Sequence, residues 1–216
     1  MTASFLLFAL ALRTFGTHEP AITYVVLGDS TAAGVGADYE SGIAVGTAQH
    51  LAIRRKVLMT NFAVSGARIR DVVEDQLAGA ETLKPDVVLL AVGANDVIHL
   101  TCVSSMRRDL LEIVRRLRVA NEHVKIVITG SPDMGSPPRV PRLLRPVASW
   151  RTHSVNRMFR AIAKSQHLTF APIAEETGPL FRRDPSLFEA DRFHPNERGY
   201  ATWIVVLNRA FDSIEP

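Results

Sequence analysis

Residues 22–36 read ITYVVLGDSTAAGVG. Residues 22–27 form a short run of aliphatic and aromatic side chains with little polar alternation, which is how a strand buried on both faces reads. Gly28 to Gly36 then break the run with small residues that favour a turn. The same signal recurs along the chain, at 57–63, 86–92, 124–129 and, more weakly, 168–172. Between these runs lie amphipathic stretches that predict helices over 42–55, 68–80, 103–120, 148–166 and 197–212. The clearest is 103–120, where Met106, Leu110, Ile113, Val114 and Leu117 recur at helical spacing. Arg107, Arg108, Arg115, Arg116 and Arg118 fall largely off that stripe and read as a solvated face. Strands alternating with helices predict an α/β fold, a three-layer α/β/α sandwich around a five-stranded parallel sheet. No internal repeat or linker divides the chain.

Composition excludes several other classes. The chain has 216 residues, 47% hydrophobic and 22% charged, which is globular rather than disordered. A chain of this length removes about 70% of its unfolded surface from water and needs no staples. Its one cysteine, Cys102, cannot form an internal disulfide or build a thiolate zinc site. Net charge is +3, from 25 basic and 22 acidic residues. There is no finger and no RNA-binding aromatic motif, so no nucleic-acid partner is expected. Residues 4–12, SFLLFALAL, are too short to span a bilayer, which takes ~20 residues. They read either as a short helix or tail docked on the domain, or as an export signal or the stump of a membrane anchor. The positive residues that usually precede an export signal are missing. Localisation therefore stays open between cytoplasmic and exported or membrane-associated.

In open parallel sheets ligands bind beyond the carboxyl ends of the strands, so the residues after each run carry the functional information. The loop from Gly28 to Gly36 lacks the lysine of a phosphate-binding P-loop. It also lacks the third glycine of a dinucleotide fingerprint, because position 39 is Tyr, and the closing glycine of a nucleophile elbow, because position 32 is Ala. A serine among small residues remains, and Ser30 alone reads equally as a turn or cap residue. Gly66 after the second run reads as a positive-φ position. Asn95-Asp96 after the third reads as a turn or an N-cap. Before the last helix stand Asp191 and, three residues later, His194; Pro195 biases His194 to extended backbone, and Pro195-Asn196 reads as a helix start. Together these residues supply what acyl transfer requires: a hydroxyl nucleophile, a base with an anion to orient it, and donors for an oxyanion.

The four blocks resemble those of the SGNH hydrolases, the GDSL esterase/lipase family. Ser30 in Gly-Asp-Ser, Gly66, Asn95 in Gly-x-Asn-Asp, and Asp191-x-x-His194-Pro occur in the family's order, over residues 22–212. The first block ends in Thr31 rather than Leu, after the serine. The resemblance implies a flavodoxin-like fold for residues 21–216 and a serine esterase without metal or cofactor. It implies Ser30 as nucleophile, His194 as base and Asp191 as its orienting anion. The oxyanion donors would be the Ser30 and Gly66 amides and the Asn95 side chain.

Around these blocks, Asp29, Thr31, His99, Met134 and Phe193 are expected at the substrate pocket; His99 and Cys102, just past the Asn95 block, read either as pocket lining or as packing residues. The segment 131–150 holds five prolines, three arginines and several apolar residues. It reads either as a pocket wall or lid that touches a membrane or an anionic substrate, or as a stiff surface connection. Expected substrates are small esters of short to medium acyl chain. The alternatives are a thioesterase, a lysophospholipase or an acyltransferase on the same site and, in a different class, a non-catalytic nucleotide- or phosphate-binding module. Oligomeric state is not legible.

Overall fold

In the computed structural model, which describes residues 20–214, each expected apolar run forms a strand. The apolar stretch at 4–12 lies outside the described residues. In chain order the elements are β1 (Ile22–Gly28), α1 (Ile43–Ala52), β2 (Val57–Asn61), α2 (Ile69–Asp71), a π-helical turn (Val72–Gln76), α3 (Leu77–Leu83), β3 (Val87–Ala91), α4 (Ala94–Ile98), α5 (Val103–Ala120), β4 (Lys125–Ile128), α6 (Arg145–Ser165), β5 (Thr169–Phe170), α7 (Ile173–Arg183) and α8 (Glu197–Asp212). The strands pair in parallel in the order β2-β1-β3-β4-β5, a flavodoxin-like sheet. Its strand order reverses at β1, so the crevice beyond the ends of β1 and β3 is the switch point where such folds hold ligands.

The pleat of β1 explains the three layers. Ile22, Tyr24 and Val26 pack on one face with residues of α1, α7 and α8. Val25 and Leu27 pack on the other with residues of α2, α3, α5 and α6. Both faces are therefore apolar, and this is why the strands show no alternation in sequence. Among the described residues no helix is long and apolar enough to cross a membrane.

The structure departs from the expected elements in several places, among them α4, a short helix that starts just before Asn95-Asp96. α7 forms where the sequence analysis names no helix, and it contains Gly178-Pro179, a dipeptide that ordinarily marks a turn. Proline lacks an amide hydrogen and so costs a helix one backbone bond. α6 begins at Arg145 with Pro146 in its first turn, where no amide donor is needed. β5 is only two residues long, at the sheet edge. The α5 arginines are not all a solvated face: Arg116 pairs with Glu81 of α3, and Arg118 donates to Gln166 at the end of α6.

Candidate active site

The loop after β1 is tightly built. Ala33 N–H donates to Asp29 O at 3.0 Å and Val35 N–H to Ser30 O at 2.9 Å. The buried Tyr200 of α8 donates its hydroxyl to Val35 O at 2.6 Å. Gly36 sits at φ +102°, and a Cβ there would meet Pro195 O at 2.4 Å and His194 Cβ at 2.9 Å. Only glycine lets this loop lie against the His194-Pro195 segment. From below, Gln76 in the π-helical turn clamps Gly28, accepting from its N–H at 2.9 Å and donating to its C=O at 2.8 Å.

The segment before α8 closes on the same point. Arg192 turns the backbone at φ +60°, and Asp191 Oδ1 accepts from Phe193 N–H at 2.8 Å and His194 N–H at 3.0 Å. The other oxygen of Asp191 lies 2.5 Å from His194 Nδ1, and His194 Nε2 lies 2.9 Å from Ser30 Oγ. Partial burial alone would raise the Asp191 carboxyl. The bonds from the His194 imidazole and from the His194 and Phe193 amides outweigh it and hold Asp191 below the ordinary carboxylate range. An ionised Asp191 places the proton on Nδ1, which leaves Nε2 free to accept from Ser30. Asn196 caps α8, accepting from Gly199 N–H at 3.1 Å.

The donors gather from the neighbouring strand ends. Asn95 lies in the first turn of α4, after β3, and its Nδ2 donates to Ala67 O at 3.0 Å. That bond uses one amide hydrogen and leaves the second free. Gly66, next to Ala67, is at φ +88°. Neither its N–H nor that of Ser30 donates to an acceptor among the described residues. Ser30, Asn95 and His194 line the mouth of a cavity of about 490 Å³, counting its open end.

Of the other pocket candidates, Thr31, Met134 and Phe193 line this cavity, the Phe193 ring standing edge-on to His194 at 5.1 Å. Three expectations at the pocket need correction. Asp29 lies buried beneath the site, accepting from the Thr31 amide at 2.9 Å and hydroxyl at 2.8 Å. His99 is exposed outside the lining, with Nδ1 donating to Asn95 O at 2.8 Å, because α4 ends one residue before it. Cys102 is exposed rather than packed, with Sγ 3.0 Å from Ser104 Oγ.

The far wall has no counterpart among the sequence expectations. Phe181, Phe188 and Trp203 close the cavity, with Phe181 5.1 Å from Phe188 and 5.8 Å from Trp203. Beside them Asp133 is buried, paired with Arg182 and accepting from Ser136 and Ser149 hydroxyls. Among the described residues no three His, Cys, Asp or Glu side chains are grouped to hold a metal ion.

Burial pushes the Asp29 carboxyl up to about 6, against the lowering effect of the Thr31 bonds and the nearby His194 imidazole. An unfolded Asp titrates near ~3.9. Between about pH 4 and pH 6 the folded chain keeps a proton that the unfolded chain has released, so stability falls as pH rises through that window. A displacement of this size is worth about 3 kcal/mol. Asp29→Asn removes this dependence and keeps an oxygen for Thr31. Urea unfolding is expected to move the stability difference between variant and wild type in the variant's favour by about 2–3 kcal/mol from pH 4 to pH 7. A difference that stays constant with pH would contradict the assignment.

A serine hydroxyl, an imidazole and a carboxylate in a hydrogen-bonded chain at the switch point of a flavodoxin-like sheet define an α/β serine-hydrolase type of site. Residues 26–202 match the GDSL-like lipase/acylhydrolase family, and the chain belongs to that family of hydrolases. The chain is 29% identical over 184 residues to the GDSL-like esterase Rv1075c of Mycobacterium tuberculosis. The match covers 82% of this chain and 57% of that protein, so the chain spans little more than half the relative's length. In fold it is similar to the lipase Lip_vut3 from a goat rumen metagenome (TM-score 0.72, 19% identity, 88% of this chain and 97% of that one). It is also similar to phospholipase A1 from Streptomyces albidoflavus NA297 (TM-score 0.64, 20% identity, 88% and 100%).

Proposed function

We propose that the protein is a serine esterase that hydrolyses carboxylic esters of short to medium acyl chain through an acyl-enzyme. The observation that carries this reading is the unbroken chain from Ser30 Oγ through the His194 ring to Asp191, at 2.9 and 2.5 Å, opening onto an apolar cavity. Ser30 Oγ attacks the ester carbonyl carbon while His194 Nε2 takes its proton. Asp191 holds the ring and balances the imidazolium. The carbonyl oxygen, now an anion, is met by the Ser30 and Gly66 amides and the free Asn95 amide hydrogen. His194 returns its proton to the departing alkoxide, which leaves as the alcohol. It then deprotonates water, which releases the acid and restores Ser30.

The lining of the cavity supports the chain-length assignment. It is mostly apolar and includes the packed rings of Phe181, Phe188 and Trp203, which favours an apolar acyl group of limited length. The test is a p-nitrophenyl ester series from acetate to palmitate. Turnover is expected to peak among the short and medium chains and to fall steeply for palmitate. A peak at palmitate would overturn the chain-length assignment. No hydrolysis of any oxygen ester by folded protein would overturn the esterase reading and direct attention to thioesters or acyl transfer.

A further inference from the structure

Between Asp133 and Glu175 the chain carries six arginines and one lysine, and no carboxylate. This stretch forms one wall of the cleft and then α6. At its start, large apolar side chains face solvent: Leu143 is 92% exposed, Trp150 66%, Val147 59% and Leu144 55%. Val147 and Trp150 share a face of α6, and Leu143 stands four residues before Val147 in the turn that enters the helix. Arg151 donates to Thr101 O and so ties the turn after α4 to α6, and Ile98 at the end of α4 and Leu100 in that turn are exposed. Leu100 sits at φ +53°, an uncommon conformation for a leucine. Scattered exposed apolar residues are ordinary on a protein surface, but a cluster of this kind marks an interaction face.

The patch is preorganised and cationic. Arg145 donates to the carbonyls of Val140 and Pro138 at 3.0 and 3.2 Å, which braces the loop that presents Leu143. Arg139, Arg142 and Arg157 are exposed, and their side chains make no ion pair among the described residues. The patch also adjoins the cleft: Met134, Ser136 and Pro137 of the same loop line the cavity, and Arg139 N–H donates to Arg192 O at 3.0 Å, two residues before His194.

We infer that this face docks on an anionic phospholipid surface. Leu143, Leu144, Val147 and Trp150 enter the head-group boundary, the unpaired guanidinium groups meet lipid phosphates, and the cavity mouth is brought to the interface. A tryptophan flanked by arginines suits that boundary, where one side of the contact is apolar and the other wet. An acidic peptide would satisfy the cations but leave Leu143 and Trp150 in water. A second copy of the chain packed through the same face would set arginine against arginine.

The inference is independent of the esterase reading, because docking is measured on the full chain carrying Ser30→Ala. That protein is expected to sediment with vesicles of phosphatidylcholine and phosphatidylglycerol in equal parts. Binding to phosphatidylcholine alone should be far weaker, and salt should weaken the interaction. Arg139→Glu with Arg142→Glu is expected to lower the partition at least about 25-fold, from about fivefold for each cation lost. Leu143→Ser with Trp150→Ser is expected to lower it at least about tenfold. With Ser30 restored, both double variants should keep wild-type turnover on a soluble short-chain ester. Equal vesicle binding by parent and variants would overturn the inference. So would failure to bind anionic vesicles together with a dimer that Leu143→Ser and Trp150→Ser dissociate. Binding to polyglutamate as tight as to vesicles, and indifferent to the loss of Leu143 and Trp150, would also overturn it.

Discussion

Ser30→Ala is expected to lower kcat on a p-nitrophenyl ester by about 10⁴–10⁶-fold with little change in KM. The serine oxygen is the only atom removed, and its hydrogen-bond partner among the described residues is His194 Nε2. The loop around it is held by backbone bonds and by Tyr200, none of which uses that oxygen. Thermal midpoint and near-ultraviolet circular dichroism should therefore match wild type, which separates lost chemistry from lost fold. What remains should be the modest acceleration that binding and oxyanion donors supply by themselves. A folded Ser30→Ala chain that turns over esters as fast as wild type would remove Ser30 as nucleophile.

Asp191→Asn should cost about 10⁴-fold in kcat at neutral pH, for a reason that lies in one proton. The asparagine keeps an oxygen to accept from the Phe193 and His194 amides, so the turn persists. Its Nδ2, however, would present a donor to His194 Nδ1 in place of the carboxylate at 2.5 Å. Nδ1 must then accept, the ring proton moves to Nε2, and Nε2 can no longer take the proton of Ser30 at 2.9 Å. The imidazolium also loses the anion that balances it. Single-turnover and steady-state kinetics on the folded variant test this, and a loss below about tenfold would show that Asp191 only shapes the turn.

Legibility differs between elements for physical reasons. The strand runs are readable because β1 and β3 are covered on both faces and contain almost nothing but apolar side chains. β5 is weak in sequence because it is a two-residue edge strand with half-buried side chains. α7 is hidden because Gly178-Pro179 reads as a turn, while in the fold Gly178 packs closely on Asp133 and its helix closes the cavity. Nearness in sequence to Asn95 suggests His99 and Cys102 for the pocket, but α4 carries them past the cleft into solvent. Gln76 gives a faint signal, as a polar residue on the buried side of a helical stretch, yet its clamp on Gly28 spans 48 positions.

The sequence by itself determined the layer architecture and the chemical inventory at the strand ends. Both are local: burial on two faces leaves its pattern in consecutive residues, and Asp191 reaches His194 within a single turn. Tertiary structure decided how the inventory is assembled. The Ser30–His194 bond joins residues 164 positions apart, and its geometry depends on Gly36 packing against Pro195 and on α8 holding Val35 through Tyr200. The cavity belongs to the same level, since Met134, Phe181, Phe188 and Trp203 come from four separate segments. No local pattern encodes such contacts, because they exist only once the sheet has set the distances between its own loops.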